Sequence, residues 1–194
     1  MTRPFGYRGR VTPVPVRRPL SVLSASALVI AGLVGCTPAP EPEPTKTELF
    51  ASDEEAFAAA EGTYRAYLAA TDEIDLSDPH TFEIALDWLA GDAETHERET
   101  LSQMHAEGLA KSGTTTLRAF TPVGFDGSSG VIVANLCLDV SDVDLRDAAG
   151  TSVVPPDRPG QQALSVTFGE GQTATGLVIT ASATIEDFKC DEPS

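Results

Sequence analysis

Hydrophobic residues recur with two different periods along this chain, and the period changes near Gly113. Over residues 52–109 apolar side chains return at the spacing of an amphipathic helix. Over residues 115–185 they return at every second position, in runs rich in Val, Ile and Thr that are typical of strands. Helices followed by strands predict an α+β fold, in which the N-terminal helices pack on a sheet.

Local signals delimit the predicted helices. Ser52 and the three acidic residues after it form a capping box, which places the acids at the positive end of the helix dipole. The stripe that follows includes Tyr64, Tyr67 and Leu68, and we expect it to pack against the sheet. Helices are predicted over residues 52–72, 78–89 and 91–109.

The strand-like runs each have one apolar and one polar side. Such half-buried strands are typical of an antiparallel sheet, here of four strands. In the second run the apolar side comprises Ile132, Ala134, Leu136, Leu138 and Val140. Strands are predicted over residues 115–125, 131–145, 164–168 and 176–185.

The first 35 residues have the organisation of an export signal, with arginines followed by an apolar run too short for a confident membrane span. The run ends in Leu-Val-Gly-Cys, which resembles the lipobox of bacterial lipoproteins and makes Cys36 the predicted site of diacylglycerol attachment. Arg17-Arg18 lacks the rest of a twin-arginine motif and is interpreted as ordinary signal charge. Two acyl chains on one cysteine would suffice for stable membrane anchoring.

Residues 36–48 alternate proline with acidic side chains, a composition that favours an extended tether. The alternative, a ligand for proline-recognising modules, is less consistent with its place directly after the anchor. Residues 49–194 then form the predicted folded domain.

Charge is distributed unevenly along the chain. Five of the 13 basic residues precede Cys36, where no acid occurs, so eight basic residues face 29 acidic ones in the rest of the sequence. A surface this acidic does not displace counterions from phosphates, which excludes a nucleic-acid-binding protein. Attraction to anionic lipid headgroups is excluded for the same reason.

Three cysteines in an exported chain divide into one that is lipidated and two that pair. Cys137 lies in the second strand run and Cys190 lies just beyond the last one, and a disulfide between them is predicted. The alternative, a catalytic thiol at Cys137, lacks the neighbouring basic residue that would favour a thiolate.

Motifs for metal binding and hydrolysis are incomplete. His96-Glu97 begins like a zinc-protease motif, but Thr100 occupies the position of the second histidine, so no metal or other cofactor is expected. The three histidines are interpreted as surface residues, and no serine lies in a nucleophile-elbow motif. The densest acid cluster is interpreted as the exposed side and end of a strand, with weak calcium binding as the alternative: Asp139, Asp142, Asp144 and Asp147.

A candidate pocket can be assembled from Tyr64, Tyr67, Leu68, Trp88 and Arg118. Trp88 and the isoleucine one turn before it give the second helix another apolar side, which we interpret as core rather than as a partner surface. Arg118 is the one strand charge able to face a cavity, although alternation favours the exposed side of the sheet.

The domain as a whole resembles a group of actinobacterial lipoproteins of unassigned role with a nuclear transport factor 2-like (cystatin-like) domain. The resemblance rests on AFAAAEGTYRAYLAA, on ANLCLDVSDVDLRDAAG with its Cys137, on Arg158 and on the cysteine close to the end of the chain. It implies a curved antiparallel sheet wrapped around a long helix, with a conical cavity between them.

Two functions are consistent with these features. The favoured hypothesis is a non-catalytic lipoprotein on the extracytoplasmic face of the bacterial cell membrane, binding a protein partner or a small apolar ligand. The alternative is a small cavity enzyme of the isomerase or dehydratase type. A titratable group in an apolar surround would distinguish them, and Asp139, on the polar side of its strand, is a poor candidate for that group.

Overall fold

The structure is a computed structural model that describes residues 49–190. The predicted export signal (1–35), the tether with Cys36 (36–48) and the last four residues lie outside the described residues. The helices are α1 (Asp53–Asp72), α2 (Glu83–Leu86) and α3 (Gly91–Ala106). The strands are β1 (Ala110–Ser112), β2 (Thr116–Asp126), β3 (Val131–Asp139), β4 (Asp144–Arg146), β5 (Gln161–Glu170) and β6 (Leu177–Thr184).

The predicted first helix is confirmed at both ends. At its start the Glu55 N–H donates to the Ser52 hydroxyl at 3.3 Å, and the Glu55 carboxylate accepts from the Ala51 N–H at 2.9 Å. The bond to Ser52 is the N-cap that the sequence predicted, and the return bond of the capping box is shifted by one residue, from the Ser52 N–H to the Ala51 N–H. Tyr64 lies on the buried side of α1 and is only 3% exposed, whereas Leu68 is partly buried against the same core.

The second helix, predicted over residues 78–89, is instead a short 3₁₀ turn (Pro79–Thr81) followed by the single turn of α2. The cause is tertiary pairing, because the backbone after α2 bonds to β6. The Ile179 N–H donates to the Trp88 carbonyl and the Ala90 N–H donates to the Ile179 carbonyl, both at 2.9 Å. Trp88 therefore lies in a turn after α2, Leu89 forms a parallel bridge with Ile179, and Ala90 is extended.

The third helix ends at Ala106 rather than at residue 109. Gly108 adopts a left-handed conformation (φ 66°), and the Leu109 N–H donates back to the Met104 carbonyl at 3.0 Å, which is a Schellman termination. The chain then forms β1, a strand that the sequence analysis missed. It pairs antiparallel with β4 in a two-stranded ribbon.

The main sheet is antiparallel with the strand order β2-β3-β5-β6, which confirms the predicted four-stranded sheet. Register shifts in β2 and between β5 and β6 bend the strands, and the sheet is curved, with the helices packed on one side. The largest fully buried side chains lie between the sheet and α1: Ile132, Leu136, Val166, Phe168, Leu177 and Ile179. The α+β architecture implied by the resemblance is thus the one observed.

The second strand run, predicted over residues 131–145, divides into β3 and β4. The Asp139 carboxylate accepts from the backbone N–H and the hydroxyl of Ser141, at 3.1 and 2.6 Å, which turns the chain at the end of β3. The close approach of Gly113 fixes the ribbon at this turn. A Cβ on that residue would lie 1.9 Å from the Asp142 carbonyl oxygen, so only glycine fits.

In the last strand the predicted alternation holds only at its start. Leu177 and Ile179 are buried, but Ala181 and Ala183, expected on the same apolar side, are exposed. The register shift between β5 and β6 falls at this point of the ladder, which interrupts the alternation.

A disulfide links Cys137 in β3 to Cys190, with the two Cα atoms 5.4 Å apart. Cys137 lies on the side of the sheet that faces away from the helices, opposite Ala119 and Ala163 on the neighbouring strands. Within residues 49–190, no helix combines the length and the hydropathy needed to cross a membrane.

Candidate functional site

Two cavities adjoin the same three side chains, Tyr64, Tyr67 and Glu97. The first, here called the ribbon cavity, has a volume of about 340 Å³ and lies between α1, α3, β3 and the β1–β4 ribbon. The second, here called the β6 cavity, has a volume of about 690 Å³ and lies between α1, α3 and β6. Both volumes fall within the range of known small-molecule sites.

The ribbon cavity is lined mainly by apolar side chains. They come from both long helices, from β3 and from the ribbon: Leu68, Leu101, Met104, Leu138, Val140 and Leu145. The β6 cavity is more polar, because α3 contributes Asp92 and His96, and β6 contributes Ser182 and Thr184. A molecule occupying both cavities would pass from an apolar to a polar surround.

Glu97 is the ionisable group at the centre of this site. It lies on α3 one turn after Ala93 and one turn before Leu101, so it is on the buried side of the helix. Desolvation raises the pKa of its carboxyl group, a trend that the Tyr67 hydrogen bond and the charges of His96 and Lys111 only partly oppose. The raised pKa makes this carboxyl group easier to protonate than an exposed glutamate, which is the property that general acid–base catalysis adjusts.

Tyr64 and Tyr67 form the wall between the two cavities. Their ring centroids are 5.8 Å apart in an edge-to-face arrangement. Burial raises the pKa of both phenols, and the negative charge of Glu97 raises them further. Both hydroxyls therefore stay protonated at physiological pH, and Tyr67 can donate its hydrogen bond to Glu97.

Lys111 lies at the rim of the ribbon cavity. Its ammonium group donates to the Thr71 carbonyl at 3.0 Å and lies 3.9 Å from the Asp72 carboxylate. The missed strand β1 thus brings a positive charge close to Glu97 while the C-terminal end of α1 holds its position.

The predicted pocket residues separate into two groups. Tyr64, Tyr67 and Leu68 do line the ribbon cavity. Trp88 does not: it lies in the turn after α2 and faces a different surface. Arg118 does not either: its side chain is 58% exposed on the outer side of the sheet, where its Nε donates to Asp139 at 3.0 Å.

The expectation that Trp88 and its neighbour belong to the core is also wrong. Ile84 is 39% exposed and Trp88 is partly exposed, whereas the opposite side of α2 is buried. The histidine interpretation agrees with the structure, since His80, His96 and His105 are exposed. Within residues 49–190, no group of three His, Cys, Asp or Glu side chains is placed to share a metal ion.

Glu97 was missed by the sequence analysis. One signal could have found it, because Ala93, Glu97 and Leu101 recur every four residues, which places an acid within the apolar stripe of α3. Glu97 is distinguished from the other acids of α3 by its burial and by its hydrogen bond with Tyr67 of α1. Both depend on tertiary packing.

Comparison with known proteins gives structural likenesses and no sequence relatives. No protein-family model matches the chain, and no curated protein sequence does. The intermembrane space region of the chloroplast protein ARC6 is similar in structure, with 14% identity, a TM-score of 0.46, and coverage of 66% of this chain and 95% of that one.

Two bacterial structures are also similar. A protein provisionally named an aromatic ring hydroxylase, from Novosphingobium aromaticivorans, is 15% identical with a TM-score of 0.44, over 69% of this chain and 96% of that one. A protein provisionally named a polyketide cyclase, from Xanthomonas campestris, is 15% identical with a TM-score of 0.31, over 65% and 92%. Likenesses this distant supply no argument about the chemistry of the site.

Proposed function

We propose that the domain binds a small, mainly apolar molecule in the ribbon cavity and holds one polar group of that molecule at Glu97 and Tyr67. The observation that carries the proposal is a single carboxyl group, paired with a phenol, set into a cavity lined by leucine, valine and methionine. Ligand sites in proteins have this composition, in which apolar surface supplies affinity and a few polar groups fix orientation.

The polar group of the ligand is expected to be a hydrogen-bond donor or a cation. An ionised Glu97 carboxylate can only accept hydrogen bonds. Its negative charge in a partly apolar site therefore favours a ligand group that donates a hydrogen bond over one that accepts it. Lys111 is already bonded to Thr71, so it is less available to an anionic ligand.

The test uses N-phenyl-1-naphthylamine, a neutral fluorescent probe with an apolar body and one N–H donor. We expect saturable binding to purified residues 49–194. Leu145→Trp, which fills the ribbon cavity, should abolish binding, and Glu97→Leu, which removes the acceptor, should weaken it about tenfold. Arg118→Gln, on the other side of the sheet, is the matched control. Equal binding by all four proteins, or none by the wild type, would overturn the proposal.

The second part of the proposal is that this domain is held at the extracytoplasmic face of the bacterial membrane by lipid on Cys36, through the tether of residues 36–48. Its support is the lipobox-like tetrapeptide after an arginine-bearing apolar segment. In a bacterial host, the wild-type chain should fractionate with membranes and Cys36→Ala should be soluble or unprocessed. Membrane attachment of a cleaved Cys36→Ala protein would contradict the anchor.

A second candidate function, an isomerase or dehydratase, is favoured by the raised pKa of Glu97. In that mechanism the carboxylate removes a proton from a carbon next to a carbonyl, Tyr67 donates a hydrogen bond to the developing oxyanion, and Glu97 returns the proton to another atom of the same molecule. The test is deuterium exchange into 3-cyclohexenone and 2-indanone in D₂O, followed by NMR. Exchange faster than in buffer, lost in Glu97→Gln, would favour catalysis; no exchange favours the binding module.

A further inference from the structure

Trp88 lies in a shallow surface groove, here called the Trp88 groove, which is separate from the two cavities around Glu97. The groove has a volume of about 640 Å³ and is lined by five side chains: Ile84, Asp87, Trp88, Gln172 and Thr173. It contains the chain's single tryptophan, an amphipathic side chain that is well suited to contact a ligand at a surface.

One wall of the groove is fixed by the main sheet. The backbone on both sides of Leu89 is bonded to Ile179 of β6, through the Trp88 carbonyl and the Ala90 N–H. Leu89 itself is buried in the core. The indole is therefore presented by a backbone that the core holds in place.

The other wall is fixed by a network of threonines in the turn between β5 and β6. The Thr173 hydroxyl donates to the Leu177 carbonyl at 2.6 Å and contacts the Thr175 hydroxyl at 3.0 Å. Thr175 in turn lies 2.6 Å from the hydroxyl of the buried Thr63 on α1. Gly171, which begins this turn, packs so closely that an added Cβ would lie 2.4 Å from Val178. Both walls are thus preformed.

The groove offers polar groups that no other part of the described chain uses. Asp87 and Gln172 are exposed, and within residues 49–190 neither side chain has a hydrogen-bond or ion-pair partner. Within the same residues, the indole N–H of Trp88 has no hydrogen-bond partner either. Every buried side-chain nitrogen there has a partner, so this N–H is exposed to solvent. The groove therefore combines an aromatic surface, an amide, a carboxylate and an indole donor.

This set of groups is selective between ligand classes. Phosphates and other anions are disfavoured, because the only charge among the five side chains is the negative one of Asp87. A purely apolar ligand would leave Asp87 and Gln172 unpaired.

We propose that the Trp88 groove binds a neutral saccharide. The apolar C–H side of a pyranose ring stacks on the indole, and its hydroxyl groups donate to the Asp87 carboxylate and exchange hydrogen bonds with the Gln172 amide. The site is independent of the ligand proposed for the ribbon cavity, since the two share no lining residue.

The single tryptophan makes the test direct, because intrinsic indole fluorescence of the purified domain reports on this groove alone. Cellohexaose, maltohexaose and laminarihexaose are titrated separately, with emission and calorimetric heat as readouts. At least one is expected to shift the emission to the blue and to saturate. Asp87→Ala and Gln172→Ala should each weaken that binding about tenfold, while Asp157→Ala, an exposed aspartate elsewhere, should leave it unchanged.

Trp88→Phe and Trp88→Ala are followed by calorimetry, with the first retaining part of the affinity and the second none. A synthetic peptide of residues 37–48 serves as a competing occupant, because aromatic grooves also bind proline-rich chains. Binding of the peptide but of none of the saccharides would overturn the proposal, as would the absence of any emission shift or heat. Equal saccharide affinity in Asp87→Ala, Gln172→Ala and the wild type would overturn it too.

Discussion

The two sides of the main sheet are stabilised in different ways. The side facing the helices is apolar and packs on α1, and it encloses the site around Glu97. The other side carries an exposed ion pair between Arg118 and Asp139 and the disulfide of Cys137. Within residues 49–190, the buried carboxyl group in a low-polarity surround lies on the helix-facing side.

Two carboxyl groups show the difference most directly. Desolvation raises the pKa of Glu97. On the other side, hydrogen bonds from Ser141 and then from Arg118 lower the pKa of Asp139 to about 2. Folding therefore favours the protonated form of Glu97 and the charged form of Asp139. Proximity to a cation did not decide this, because Glu97 also has one nearby in Lys111.

The largest test of the comparison is Tyr64→Ala on the helix-facing side. Tyr64 is almost fully buried against the sheet, so its loss should lower the free energy of unfolding by about 3 to 5 kcal/mol. Urea unfolding followed by circular dichroism measures it. Tyr64→Phe should cost far less, because the ring stays. An equal loss in both variants would mean that the hydroxyl, rather than packing, carries the stability.

On the outer side, the strongest contribution is expected from the disulfide. Replacing both Cys137 and Cys190 by alanine should cost about 4 kcal/mol, mainly by freeing the unfolded chain. The wild-type domain, denatured without reductant, should show close to no free thiol. Two reactive thiols per molecule, or unchanged unfolding of the double variant, would contradict this view of the outer side.

A smaller effect is expected in the pH dependence of stability. Because the pKa of Glu97 is raised by folding, folding becomes less favourable as pH rises through the interval between its unfolded and folded values. Glu97→Gln removes that loss and should stabilise the protein at about pH 8, with little effect at about pH 4.

Asp139 should behave in the opposite sense. Its folded pKa of about 2 lies below the ordinary value of 3.8, so its contribution to stability is complete above that value and is lost as pH falls towards the folded pKa. Asp139→Asn should therefore destabilise the protein at neutral pH and progressively less in acid. Unfolding curves of both variants across the same pH series measure the two trends, and trends of the same sign would refute the comparison.

The smallest effect is expected for Arg118→Ala. The guanidinium is largely exposed, and ion pairs of this kind contribute little to stability. Its unfolding midpoint should lie within the scatter of repeated wild-type measurements, and so should its affinity for N-phenyl-1-naphthylamine. A clear loss of probe binding would show that the two sides of the sheet are coupled.

The sequence was most informative where local chemistry determines the structure. The N-cap at Ser52 and the alternation around Leu136 each depend on neighbours within a few residues, and both predictions are confirmed. The predicted helix over residues 78–89 was wrong, because backbone bonds to Ile179, some ninety residues away, join the chain at Leu89 to β6 in a bridge.

The site was predictable only in part for the same reason. Tyr64, Tyr67 and Leu68 follow from the stripe on one helix. Burial raises the pKa of Glu97 although the Tyr67 hydrogen bond lowers it, and that burial comes from tertiary packing around α3, which no short segment encodes. Arg118, by contrast, lies on the side of the sheet that alternation favoured.

The disulfide also makes the molecule a ring with a tail. Covalent closure between Cys137 and Cys190 encloses β4, β5 and β6, whereas all three helices precede the ring. A disulfide-closed loop enters a channel as two side-by-side segments of chain, so it does not fit a channel that is wide enough for one extended chain only. If the proposed export proceeds through such a channel, the two thiols cross the membrane unpaired, and the ring closes only after translocation.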